Sequence, residues 1–111
     1  MIQVNVLQSN EENRVLQITV LGHAEFSEPG QDVVCAAVSA LTIGALNSTE
    51  TLLGIDLQPI SDEKDGGVLS WAVPRIDDPI VDDQLQLLMK ALVGSLKMIE
   101  EDYHDFIQVN L

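Results

Sequence analysis

Along residues 1 to 7 apolar and polar side chains alternate, with Ile2, Val4 and Val6 on one side and Gln3 and Asn5 on the other. A period of two is the mark of a strand with one buried face. Gln8 to Asn13 is a polar turn, and Leu16, Ile18 and Val20 then oppose Gln17 and Thr19 up to Leu21, so the N-terminal segment reads as a β-hairpin. Gly22 ends the second strand. His23 therefore sits at a strand end, and Ala24 to Gln31, with Pro29-Gly30 inside it, reads as an irregular loop of the kind that carries function.

The pattern turns helical at Asp32. That residue suits the N-cap, Val33 to Leu53 lacks proline, and Gly54 suits the position just past the C-terminus. Val34, Val38, Leu41, Ala45 and Leu52 carry apolar character almost all the way round, which predicts a helix at the centre of the domain or one covered by a second subunit. Ala36, Ala37, Ala40, Gly44 and Ala45 leave room for another element to approach, and ordinary core packing and dimer contact both account for them. Ile55 to Ile60 reads as a short strand whose Pro59 puts it at an edge or near its end. Ser61 to Gly67 is a turn, and Val68 to Val73 pairs back as a second hairpin.

Asp77-Asp78-Pro79 announces a second helix, with proline at the first helical position. Val81, Leu85, Leu88, Leu92, Leu96 and Ile99 follow at three- and four-residue spacing, so this helix is amphipathic. Asp82 and Asp83 complement its dipole, whereas Glu100, Glu101 and Asp102 oppose it. Phe106 to Leu111 completes the pattern as a last strand. The order ββ-α-ββ-α-β predicts a single α+β domain over residues 1–111, an antiparallel or mixed sheet covered by two helices.

Composition narrows what such a domain meets. At 111 residues the chain supports one real core, and 46% apolar content argues for a globular fold. Eighteen acids against five bases, a net charge of −13, disfavour nucleic-acid phosphate as a direct partner and favour basic proteins, although a merely solvated surface has the same balance. One cysteine cannot form an internal disulfide, which fits a reducing compartment. No basic n-region and apolar h-region open the chain, and the longest apolar stretch, Val33 to Leu46, is shorter than the roughly 20 residues that cross a bilayer. The expectation is a cytoplasmic protein with no membrane partner.

The chemistry collects at the loop and the first helix. With Asp32 as N-cap, Cys35 is the third helical residue, in the turn where unpaired N–H groups and the dipole favour a thiolate. The Asp32 carboxylate opposes that unless it caps the Cys35 amide; its other reading is orienter of His23, and the cap is favoured here. His23, returning over the helix start, could serve as base. Ser39 lies one turn beyond Cys35 on the same face, placed either to touch the sulfur or substrate or to bond back to the Cys35 carbonyl. Gly22 and Gly30 flank the loop as hinges, and a polar, glycine-containing segment joining two rigid elements suggests a gate over the site. Physics alone leaves the bland alternative open, because cysteine is commonly buried as a small hydrophobe. His104, between Tyr103 and Asp105, reads as a surface or packing residue, and one cysteine with two histidines is a poor metal set, so neither metal nor cofactor is expected.

Gly22-His23-Ala24 followed by Gly30-x-Asp32-Val33-Val34-Cys35-Ala36-Ala37-Val38-Ser39-Ala40 resembles the signature of Prp, the ribosomal-processing cysteine protease family. The likeness continues through Gly44-Ala45-Leu46-Asn47, Gly66-Gly67 and the run from Ser95 to Tyr103, nearly the whole chain. The resemblance implies a cytoplasmic, homodimeric endopeptidase of certain Gram-positive bacteria. It would remove an apolar N-terminal extension from a large-subunit ribosomal protein precursor, with Cys35 as nucleophile, His23 as general base, and Asp32 and Ser39 in support. Two other classes stay open at this point: a non-enzymatic dimeric module that binds a ribosomal protein or assembly factor, and a thiol-dependent hydrolase of another peptide or ester.

Overall fold

The alternation at the N-terminus becomes a hairpin of β1 (Ile2–Ser9) and β2 (Arg14–Leu21) in a computed structural model that describes residues 1–22, 31–64 and 67–111, with Gln31 and Asp32 in backbone only. The chain continues through α1 (Gln31–Leu53), β3 (Ile60–Asp62), β4 (Val68–Ala72), α2 (Pro79–Asp102) and β5 (Ile107–Asn110). The strands form one sheet in the order β3-β4-β2-β1-β5. It is mixed: β5 runs parallel to β1, and the other neighbours are antiparallel. The expected order ββ-α-ββ-α-β is the order found.

Register explains which face is covered. Val6 pairs with Ile18, Ile18 with Trp71, Val4 with Val20, and Ile2 with Ile107, so all these side chains share one face. All are buried, and they form one core with Val34, Cys35 and Val38 of α1 and Leu85, Met89, Leu92 and Leu96 of α2. Both helices thus cover the same face. The opposite face keeps the polar half of the alternation: the Asn110 amide donates to Gln3 at 3.1 Å and to Asn5 at 2.7 Å, and the Thr19 and Ser70 hydroxyls meet at 2.8 Å.

The second helix begins as expected. Asp78 is its N-cap, its carboxylate accepting the Ile80 amide at 2.9 Å, and Pro79 opens the first turn. Two polar clamps then tie α2 to the sheet. Asp82 receives both Arg14 guanidinium nitrogens, at 2.6 and 2.9 Å, and the Ile76 amide at 2.9 Å. One turn on, the Gln86 side chain accepts the Val15 N–H at 2.7 Å and donates to the Val15 carbonyl at 2.9 Å. A register shift between Leu7 and Gln8 interrupts the β1–β2 ladder at this level.

Three expectations need correction. The strand expected over Ile55 to Ile60 begins only at Ile60, because Asp56 accepts the Gln58 amide at 2.8 Å in a side-chain turn and Gln58 adopts φ +53, which an extended strand forbids. Ser61 and Asp62, expected in the turn, belong to that edge strand. The first helix is apolar nearly all round but is not central within the chain: Val34, Cys35, Val38, Thr42 and Thr49 are buried, whereas the equally apolar Val33, Ala36, Ile43, Gly44 and Leu52 face outward. Finally, Val33–Leu53 forms one 21-residue helical stretch, long and apolar enough by length and composition to cross a bilayer, whereas the apolar run in the sequence reaches only to Leu46. Its inward face is committed to the core of this domain.

Candidate active site

Antiparallel pairing carries β2 to Leu21, opposite Val68 of β4, and the ladder runs one pair further: the Gly22 N–H donates to the Gly67 carbonyl at 2.9 Å. Gly22 has φ +76 and Gly67 φ +94, both in the region that favours glycine. The start of β5 pairs with the start of β1, so the end of β2, the start of β4 and the approach to β5 from the C-terminus of α2 all lie at one end of the sheet. Asp62 and Glu63 near the β3–β4 turn, with Glu100, Glu101, Asp102 and Asp105 around the end of α2, make that end acidic.

Cys35 is the fifth residue of α1, not the third, since the helix already includes Gln31. Asp32 is accordingly the second helical residue and not the N-cap. The reason is local: no rule forces a helix to wait for a capping acid when the residue before it can adopt helical dihedrals. Cys35 nevertheless lies just beyond the first four amides, the ones that lack partners within a helix. Its side chain is 4% exposed and packs in the core cluster. Ser39, one turn further, is half-buried, and its carbonyl accepts the Thr42 hydroxyl at 3.3 Å, which also bonds the Val38 carbonyl at 2.8 Å. His23, Gly30 and the loop expected to gate the site lie outside the described residues, so the pairing of His23 with Cys35 does as well.

Among the described residues, then, the structure supplies a helix start that bears the chain's single cysteine, and a glycine pair that fixes the strand leading to His23. The Gly22–Gly67 link was not singled out from the sequence. The signal for it was present in Gly66-Gly67, which sequence reading assigned only to a turn.

Comparison with known proteins defines the class first. The family model described as Cysteine protease Prp matches residues 1–108. The Ribosomal processing cysteine protease Prp of Bacillus subtilis (strain 168) is 38% identical over 110 residues, covering 98% of this chain and 96% of that protein. A crystal structure of the ribosomal processing protease Prp from Staphylococcus aureus with a substrate peptide matches with TM-score 0.79 and 31% identity, over 99% of this chain and 98% of that one. A second structure of that protease, with a covalently linked product peptide, matches with TM-score 0.72 and 28% identity over the same shares. The protein is a cysteine protease, a hydrolase of peptide bonds. More particularly, the chain belongs to the Prp family of ribosomal processing cysteine proteases.

Proposed function

We propose that this protein removes the N-terminal extension of a large-subunit ribosomal protein precursor, with Cys35 as nucleophile and His23 as general base. One observation carries the assignment: a member of a cysteine protease family needs a cysteine nucleophile, and this chain has one cysteine. The covalently linked product peptide on the S. aureus relative supports a covalent intermediate. Asp32 and Ser39 support the pair from the same helix.

In the proposed reaction His23 takes the Cys35 proton and the thiolate adds to the scissile carbonyl. The tetrahedral intermediate collapses to a thioester as His23 returns the proton to the leaving amine. Water, deprotonated by His23, then attacks the thioester and releases the acid product and the thiol. Backbone amides at the start of α1 are the natural donors for the oxyanion. No metal or cofactor enters these steps. The buried side chain of Cys35 must become accessible for the first of them.

The expected setting is cytoplasmic, without a membrane or nucleic-acid partner, and the working form a homodimer. The outward side of α1 and α2 supports the dimer: Val33, Ile43, Leu52 and Leu87 are all more than half exposed there. The test is cleavage of an extended ribosomal protein by wild type, Cys35→Ala and His23→Ala. We expect Cys35→Ala to abolish cleavage and His23→Ala to lower it at least about a hundredfold, the low end of what a positioned base contributes. A wild type that binds the precursor but never cuts it would favour a non-enzymatic binding module, and cleavage of thioesters in preference to peptides would favour a different hydrolase.

A further inference from the structure

A short relay of hydrogen bonds ties the end of β2 to the β3–β4 turn. Asp62 accepts the Lys64 amide at 2.9 Å, the Lys64 carbonyl accepts the Gly67 amide at 3.1 Å, and the Gly67 carbonyl accepts the Gly22 amide at 2.9 Å. These bonds run from the edge strand, through the β3–β4 turn, to the residue that precedes His23. Gly22 is buried, and both glycines hold positive φ, so neither end of the last bond tolerates a side chain without strain.

We propose that Gly67 is a positioning residue for the catalytic pair: its carbonyl fixes the Gly22 peptide, and with it the point and direction from which the chain leaves the sheet into His23. The inference rests on the reading of His23 as general base and adds to it a residue on a separate hairpin. Positioning matters here because a catalytic group about 1 Å out of place can cost about a hundredfold in rate. Gly67 touches neither the substrate nor the sulfur in this role. It acts through Gly22.

Two variants test it. Gly67→Ala strains the carbonyl's position. A backbone ester in place of the Gly22 amide, made by ligating a synthetic 1–34 segment at Cys35, removes the donor and leaves every side chain as it was. The readouts are peptide cleavage, separated into kcat and KM, and the pH profile of Cys35 alkylation by iodoacetamide, which reports thiolate because only the anion reacts. We expect both variants to lose about tenfold in alkylation rate at the acidic end of the profile, and about tenfold to a hundredfold in kcat with KM within about twofold. A purely structural role would lower the melting temperature and leave the shape of the alkylation profile alone. Wild-type profiles in both variants, alongside an altered profile in His23→Ala, would overturn the role of Gly67 while leaving the base in place. A wild-type profile in His23→Ala itself would overturn the base and this inference together.

Discussion

Gln86 supplies to Val15 what a neighbouring strand would, one acceptor for its N–H and one donor for its carbonyl, both from a helix. Removing the amide leaves two buried backbone groups without a partner, each costing about 1–3 kcal/mol. Gln86→Ala should therefore destabilise the domain by about 2–6 kcal/mol. The urea midpoint followed by the fluorescence of Trp71, the single tryptophan and a buried one, measures this, and an unchanged midpoint would show that water replaces the amide at no cost. None of it was legible in the sequence, because the partners are 71 positions apart and Gln86 falls beside the apolar stripe of its helix without announcing a role. The proposed pair of Cys35 and His23 rests on motif spacing. Burial of Cys35 taken alone fits the ordinary packed cysteine.

At the scale of elements, local chemistry decided what could be read. The α2 start was legible because Asp78 and Pro79 act on their own neighbours, whereas the α1 start was misplaced because a capping acid at Asp32 is a preference and not a barrier. The segment from Ile55 to Pro59 looked like a strand on its apolar pattern, and its side-chain turn at Asp56 overrode that pattern. The docking of α2 on β2 rests on the Arg14–Asp82 pair, and it sets an acid limit on stability. Arg14's hydrogen bonds first, and the Ile76 amide second, hold the Asp82 carboxyl well below the usual carboxylate range. A carboxyl depressed in the folded state contributes its stability above its unfolded value, about pH 4, and loses it as pH falls below that. Wild type should thus lose urea resistance progressively as pH falls from about 5 through about 3, as the unfolded chain takes up a proton that the folded one refuses. Asp82→Asn should start from a lower midpoint at pH 7 and fall less steeply over the same range. Parallel acid curves for the two proteins would remove Asp82 from the account.

Over the whole molecule the acids and the apolar surface separate. The end of the sheet where β2 leads to His23 is rimmed by Asp62, Glu63, Glu100, Glu101 and Asp102, which suits a substrate whose body is basic. Raising ionic strength from about 0.05 to 0.5 M should lower kcat/KM for such a full-length precursor by roughly tenfold and hardly affect a short neutral peptide, since screening acts on exposed charge. An equal effect on both substrates would refute steering. The outward face of the helices is different in kind. The sequence foretold its apolar character but not its destination, because hydropathy says that a face is apolar and not which neighbour covers it. In the fold, Val33 is 60% exposed, Ile43 51%, Leu52 70% and Leu87 68%, and between the helices runs a groove of about 300 Å³ lined by Ala40, Gly44, Ser48, Ala91 and Ser95. A side chain added at Gly44 would meet nothing within 4 Å, so its smallness serves no contact inside the chain. Glycine in mid-helix costs about 0.5–1 kcal/mol relative to alanine, a cost offset if a partner's backbone comes close there. Two copies, each of net charge −13, repel except where the contact carries few acids, and this face fits that condition. In the proposed dimer Ile43→Glu puts a carboxylate on the covered face and should weaken association at least about tenfold, since an unpaired charge there must be desolvated. Sedimentation at micromolar concentration should show wild type at twice the monomer mass and Ile43→Glu at the monomer mass, with unchanged Trp71 fluorescence confirming that the fold survives. A wild type already monomeric under those conditions would leave the apolar face without the partner assigned to it.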